Sequence, residues 1–333
     1  MKSQRQIMVS RPTGEVKEDD FKLESHELGL LQQGKIRVRV IAISIEPAMR
    51  GWMVNRTDYM PDLELGDMLH GFAIGEIIQS YHPEFIVGQL VSGNLGCCTV
   101  VDINPEMGSL RHFNHSDVAP EMAMSVLGIT GLTAYFGVNK IAKPKHGDTF
   151  VVSAAAGAVG SIAGQLAKLA GCTVIGIVGS EEKSKWLLET LAFDHVINYK
   201  TQDVKTRLRE VTPNGINIYF DNVGGTILDL CLARLSHGAR VVLCGGIAHY
   251  NATEKPSGPA NYFALVHRRA SMQGFIVLDY ENEFDDAIAV LKQYVLKGKL
   301  INKHHQINGL NHLVKAINTL FYGKNQGKVL LLP

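Results

Sequence analysis

Residues 149–168 read Thr-Phe-Val-Val-Ser-Ala-Ala-Ala-Gly-Ala-Val-Gly-Ser-Ile-Ala-Gly-Gln-Leu-Ala-Lys. An apolar run passes through small residues into a helical pattern, with Gly157, Gly160 and Gly164 spaced G-x-x-G-x-x-x-G. The spacing predicts a strand over 149–153, a tight turn, and a helix over 159–171. A turn without bulky side chains lets the backbone N–H groups of Gly157, Ala158, Val159 and Gly160 approach a pyrophosphate, and the helix N-terminus adds a positive dipole end. Gly164, one turn on, lets the helix pack closely on the sheet. An ordinary strand–helix turn also uses small residues, so the surrounding pattern has to decide between the two readings.

Outward from that stretch, apolar strands and helical segments alternate. Strands are expected over 173–178, 196–198, 216–221 and 240–244, and helices over 181–192, 204–211, 226–235 and 284–298. Such alternation is the mark of an α/β fold with a doubly wound parallel sheet. Residues 1 to about 125 have a different texture. Ile36–Ser44 alternates polar and apolar, as a half-buried strand does, and Gly and Pro then punctuate the chain often enough to suggest short strands in a barrel. Glu84–Val91 reads as a turn entering a strand, and Met122–Val138 as one helix.

The end of the second strand of the α/β part bears on cofactor choice. An acid there would suit a ribose 2′-hydroxyl. Here Gly179-Ser180 is followed by Glu181, Glu182 and Lys183. A hydroxyl and an ammonium suit a 2′-phosphate, hence NADPH, although Lys183 could equally lie on a solvated helix face.

The chain has 333 residues, 46% hydrophobic and 20% charged, with a formal net charge of +1. That length favours two domains, and that charge gives no steering toward nucleic acid or an anionic membrane. No apolar run reaches transmembrane length, and the N-terminus carries no signal-like stretch. Cys97, Cys98, Cys172, Cys231 and Cys244 lack framework spacing, so reduced thiols and a cytoplasmic setting are expected.

Several further segments match one family in order. They are Arg11-Pro12, Pro47 with Met49-Arg50-Gly51, Gly128–Tyr135, Asn198-Tyr199-Lys200, Phe220-Asp221-Asn222-Val223-Gly224-Gly225, Cys244-Gly245 with Tyr250-Asn251, and Asn325 with Gly327-Lys328. With the Gly157 turn they resemble the medium-chain dehydrogenase/reductase superfamily, in particular its zinc-free, NADPH-dependent enone reductases. The resemblance covers nearly the whole chain. It implies a GroES-like β-barrel domain over 1–125, completed by 299–333, and a Rossmann domain over 126–298. It places Ser180, Lys183 and Tyr199 at the 2′-phosphate and Asn222 at the ribose. Cys244, Gly245 and Tyr250 fall at the nicotinamide half, Phe275 to Val277 at the carboxamide, and Asn325 reaches the cofactor from the tail. It also implies a homodimer. Ala48 stands where relatives often have an aromatic residue before Met-Arg-Gly, which leaves the substrate open, and the helix after Lys183 reads about one residue longer than in relatives.

Zinc-dependent members carry Gly-His-Glu where this chain has His70-Gly71-Phe72. A zinc site needs three or four converging ligands. None can be assembled, and His304-His305 and His112 with His115 read as surface residues. Without a metal to polarise an alcohol, hydride addition from NADPH to the β-carbon of an α,β-unsaturated ketone or aldehyde is the expected reaction. Donors then stabilise the enolate oxygen. Tyr250 is either such a donor or an apolar wall. Tyr59 is a second donor or a packed loop aromatic. A quinone reductase and a non-catalytic NADPH-binding protein are the competing readings.

Overall fold

The computed structural model describes residues 1–55, 59–107, 110–113 and 119–333. In chain order the first strands are β1 (Lys2–Met8), β2 (Phe21–Glu27), β3 (Ile36–Ser44), β4 (Phe72–Ser80), β5 (Leu90–Asn94), β6 (Val100–Ile103) and β7 (Arg111–Phe113). Then come β8 (Thr149–Ser153), β9 (Thr173–Val178), β10 (His195–Asn198), β11 (Ile216–Asp221), β12 (Leu235–Leu243), β13 (Ser271–Gly274), β14 (His304–Asn308) and β15 (Lys328–Leu332). The helices are α1 (Met49–Trp52), α2 (Pro120–Ala123), α3 (Ile129–Phe136), α4 (Ala158–Leu169), α5 (Glu181–Glu189) and α6 (Val204–Val211). They continue with α7 (Gly225–Leu232), α8 (Ile247–Tyr250), α9 (Ala264–Arg268), α10 (Phe284–Leu296) and α11 (Leu313–Phe321).

The chain divides into two units, Met1–Ser125 with His304–Pro333, and Val126–Lys303. The second unit is a six-stranded sheet in the order β10-β9-β8-β11-β12-β13, with every pair parallel. The centres of its inner strands are apolar (Phe150, Val151, Val152, Ile175, Ile218, Phe220, all buried) because helices cover both faces of such a sheet. The strand order reverses between β8 and β11, so the crevice that doubly wound sheets use for ligands opens beyond Ser153 and Asp221. Gly164 serves packing of a different kind from the expected sheet contact: a Cβ there would lie 2.1 Å from the Phe193 ring, which fills the space under α4.

Three boundaries differ from the pattern-based expectation. Residues 122–138 are not one helix, because the chain breaks between α2 and α3. Gly131 sits so close to Val126 that a Cβ would come within 1.9 Å of its carbonyl oxygen. β12 starts at Leu235, with its Gly238 at φ +68. β13 is a short, largely exposed edge strand with no apolar run to announce it.

The first unit centres on β3, which pairs antiparallel with β4, β6 and the tail strand β15. The sheet runs β14-β15-β3-β4-β5-β7, and β1 bridges to it at Met68 and Cys98. β3 is more than half-buried: Arg37 also lies inside, its guanidinium paired with both Asp102 oxygens (2.7 and 2.8 Å) and the Gly29 carbonyl (2.8 Å). β5 begins only at Leu90, leaving Ile86 and Val87 exposed in the preceding turn.

Candidate functional site

The turn after β8 begins at Ala154, held at φ +48. The Gly157 N–H donates back to the Ala154 carbonyl (2.9 Å), and the Gly157 carbonyl accepts from Ser161 (3.1 Å), opening α4. The amides of Ala158, Val159 and Gly160 precede the first intrahelical donor, the Ser161 N–H, and no side chain caps them. They lie at the positive end of a 12-residue helix. A Cβ on Gly160 would lie 2.5 Å from the Ala154 oxygen, and one on Gly157 3.1 Å from it. Only glycine lets the turn close this tightly. The result is a bare amide cradle at the strand-order reversal.

At the end of β9, Ser180 is the N-cap of α5, its hydroxyl oxygen accepting the Lys183 N–H (3.3 Å). That contact uses an oxygen lone pair and not the O–H. Gly179 makes room for the Tyr199 hydroxyl, which would lie 2.7 Å from a Cβ. Asn198 is buried and braces the next turn, its Oδ1 accepting from Lys200 N (3.2 Å). Burial, and then the nearby Lys200 ammonium, hold the Lys183 pKa below the ordinary lysine value, against an opposing pull from Glu182. Ser180, Lys183 and Tyr199 are thus brought to one corner. Lys200 joins them, although its place in Asn198-Tyr199-Lys200 carries no sign of that role.

Asp221 organises the carboxyl edge of β11. Fully buried, its Oδ1 accepts from the Ser153 hydroxyl (2.9 Å), the Tyr219 hydroxyl (2.7 Å) and the amides of Val223 and Gly224 (3.0 Å each). Its backbone carbonyl takes the N–H groups of Cys244 (2.9 Å) and Gly245 (3.1 Å). Burial pushes the Tyr219 and Cys231 pKa values up, so both stay protonated in this cluster. Asn222 is locked beside it, its N–H on the Ser153 hydroxyl (2.9 Å) and its Nδ2 donating to the Ser153 carbonyl (2.8 Å). Tyr250 ends α8, and its hydroxyl oxygen accepts the Gly246 N–H (3.2 Å). This again leaves the O–H out of that bond. A Cβ on Gly245 would lie 3.5 Å from the same hydroxyl. His249 accepts the Gly225 N–H at Nε2 (3.1 Å), a contact that sequence reasoning missed. Phe275 and Val277 are half-buried just past β13, with the Phe275 ring close to Gly137 beside Phe220.

In the first unit, Tyr59 packs on the core, and its hydroxyl oxygen accepts the Trp52 indole N–H (3.2 Å). Trp52 in turn meets Phe72 edge-on at 6.1 Å. Arg50 is buried, tied to the carbonyls of Pro12 (2.8 Å) and Gly14 (3.1 Å), so it anchors the N-terminal loop. Asn325 is buried and donates to the Gly327 carbonyl (3.0 Å). Lys328, also buried, pairs with Glu46 (2.6 Å) and the Ile45 carbonyl (2.8 Å); burial lowers its pKa while Glu46 raises it.

Among the described residues, no group of three or more His, Cys, Asp or Glu is placed to hold a metal ion. Gly71 donates its N–H to Asn94 Oδ1 (3.0 Å), and His70 Nε2 lies 3.1 Å from the Pro61 carbonyl. His112 is exposed, as expected, and stacks on Phe85 at 4.2 Å; His304 is half-buried instead, its Nε2 3.0 Å from the Ser125 hydroxyl. His115 lies outside the described residues. All five cysteines are free thiols, with burial pushing Cys98 up to about 12 and Cys172 to about 11. No helix among the described residues is long and apolar enough to cross a membrane.

Residues 4–108 match the family model described as the N-terminal domain of oxidoreductase, and residues 158–293 that of zinc-binding dehydrogenase. The NADPH-dependent curcumin reductase of Escherichia coli (strain K12) is 33% identical over 99% of this chain and 96% of its own length. The NADP(+)-dependent 2-alkenal reductase of Nicotiana tabacum is 34% identical over 98% of this chain and 96% of its own. Among solved structures, CurA from Vibrio vulnificus in complex with NADPH superposes with a TM-score of 0.93 at 36% identity, covering 99% of this chain and 98% of that one.

Proposed function

The chain belongs to the zinc-free enone-reductase branch of the medium-chain dehydrogenase/reductase superfamily and takes NADPH as its cofactor; from that premise we propose that it reduces the C=C bond of α,β-unsaturated ketones or aldehydes. The observation that carries the reading is the Tyr250 hydroxyl, set at the carboxyl edge of the parallel sheet with its oxygen accepting from Gly246. The fit to NADPH rests on the bare amides that open α4 and on two ammonium groups close enough to disturb one another, a repulsion that a phosphate relieves.

When bound, NADPH supplies the hydride that adds to the β-carbon of the substrate. The amides of Ala158, Val159 and Gly160 hold the pyrophosphate. Lys183 and Lys200 neutralise the 2′-phosphate, while Ser180 donates its O–H and Tyr199 its hydroxyl. Asn222, fixed by Ser153, holds the ribose, and Cys244, Gly245, Phe275 and Val277 flank the nicotinamide. Tyr250 donates to the carbonyl oxygen as it gains negative charge, a preorganised dipole that water could not match. A proton from water or a tyrosine hydroxyl, delivered to the α-carbon, completes the product.

The test is NADPH oxidation with enones, enals and quinones side by side. The reading expects kcat/KM for an enone or enal to exceed that for every quinone. A quinone preference, or tight NADPH binding without oxidation by any acceptor, would replace it. The same reading expects a cytoplasmic homodimer; sedimentation velocity at micromolar concentration checks the dimer.

A further inference from the structure

We propose that His249 is a positioning residue: its neutral imidazole clips the loop carrying Tyr250 to the start of α7, and protonating the ring opens the clip. Three hydrogen bonds join the loop to the turn after β11. The Ile247 N–H donates to the Asn222 carbonyl (3.3 Å) and the Ala248 N–H to the Val223 carbonyl (3.1 Å). The third runs the other way, from the Gly225 N–H to His249 Nε2 (3.1 Å), and it is the one made by a side chain.

A donated N–H needs a lone pair on Nε2, so the ring is neutral with its proton on Nδ1. Protonation would set N–H against N–H and place a cation at the positive end of α7. The turn is shaped to the ring. Gly224 and Gly225 sit at φ +73 and +55, and a Cβ on Gly224 would lie 2.9 Å from Nε2. α8, which carries both His249 and Tyr250, has four residues and depends on such bonds for its place.

The charged and titratable groups around the ring are few. Asp221 lies under Gly224, its carboxylate taken up by Gly224, Val223, Ser153 and Tyr219. Asp229, one turn into α7, is held by Asn261. Glu254 and Lys255 line with His249 an open depression of about 560 Å³, and Tyr250 follows in the chain.

The kinetic readout rests on the reductase reading; the clip does not. Protonating the ring lowers wild-type kcat about fivefold, the worth of one neutral hydrogen bond, read as an acid limb of the kcat–pH profile. His249→Gln, whose amide oxygen accepts at any pH, flattens that limb to less than about twofold. His249→Ala lowers kcat about fivefold across the range while the NADPH Kd moves less than about twofold. An acid limb kept in His249→Gln, or an unchanged kcat in His249→Ala, overturns the proposal. Should no acceptor be turned over, histidine NMR decides alone, with the His249 signals assigned by their loss in His249→Gln. The proposal expects the Nδ1-protonated tautomer and Tyr250 ring signals that shift with its titration. The other tautomer, or Tyr250 signals indifferent to it, refutes the clip.

Discussion

Replacing Lys183 by Met removes one ammonium from the corner formed with Ser180, Tyr199 and Lys200 while keeping the aliphatic stem. The Lys183 N–H stays on the Ser180 hydroxyl, so the N-cap of α5 is preserved. A hydrogen bond to a charged group contributes about 1.5–3 kcal/mol, equivalent to roughly a 10- to 150-fold change in affinity. Lys200 remains to meet the phosphate, so the lower half of that range is expected: a rise of about 10- to 40-fold in the NADPH Kd, and less than about twofold for NADH. Proton linkage gives a second signature. Burial and Lys200 depress the Lys183 pKa in the free protein, and a bound phosphate raises it. NADPH affinity is therefore full below the free-protein pKa and declines as pH rises from there toward the pKa of the complex. NADPH binding takes up protons in that alkaline window, and Lys183→Met abolishes the uptake. Calorimetry in two buffers of different ionisation enthalpy reads both quantities. Equal weakening of NADPH and NADH, or proton uptake unchanged in the variant, would refute the 2′-phosphate assignment.

Three further substitutions probe other parts. Tyr250→Phe should lower kcat for an enone by about 10²-fold, the worth of one preorganised donor, with the NADPH Kd moved less than about threefold; an unchanged kcat makes Tyr250 a wall. Gly160→Ala forces a methyl to within 2.5 Å of the Ala154 oxygen, and overpacking of this kind costs about 1–3 kcal/mol, so NADPH should bind about tenfold more weakly by fluorescence titration. Lys328→Met leaves the Glu46 carboxylate buried with the Ser44 hydroxyl and without its cation, a loss of about 3–5 kcal/mol in thermal unfolding. The double variant with Glu46→Gln should recover more than half of it.

The α/β unit was legible wherever burial on both faces forces an unbroken apolar run. Thr149–Ser153, Thr173–Val178 and Ile216–Asp221 are strands with the expected limits because Gly, Asp or a small-residue turn closes each run. Ser271–Gly274 was missed because an exposed edge strand is specified by its partner β12 and not by its own side chains. Leu235 read as the end of a helix, yet it opens β12, since pairing with Ile216 overrides local pattern. In the site, the Gly157 turn and Ser180 were visible from spacing and position. The Asp221 network and the His249 contact were not, because both depend on segments far apart in sequence meeting at one sheet edge. A lone histidine after a strand carries no signal of the amide it faces.

The central claim is hydride addition to carbon–carbon unsaturation, and isotope transfer reads it most directly. NADPH deuterated at the transferring C4 position is mixed with a simple α,β-unsaturated methyl ketone and a slight excess of protein, and the product is analysed by NMR. The account predicts a saturated ketone with deuterium on the β-carbon and solvent hydrogen on the α-carbon. Deuterium on the carbonyl carbon of an allylic alcohol, or a product free of deuterium, contradicts it.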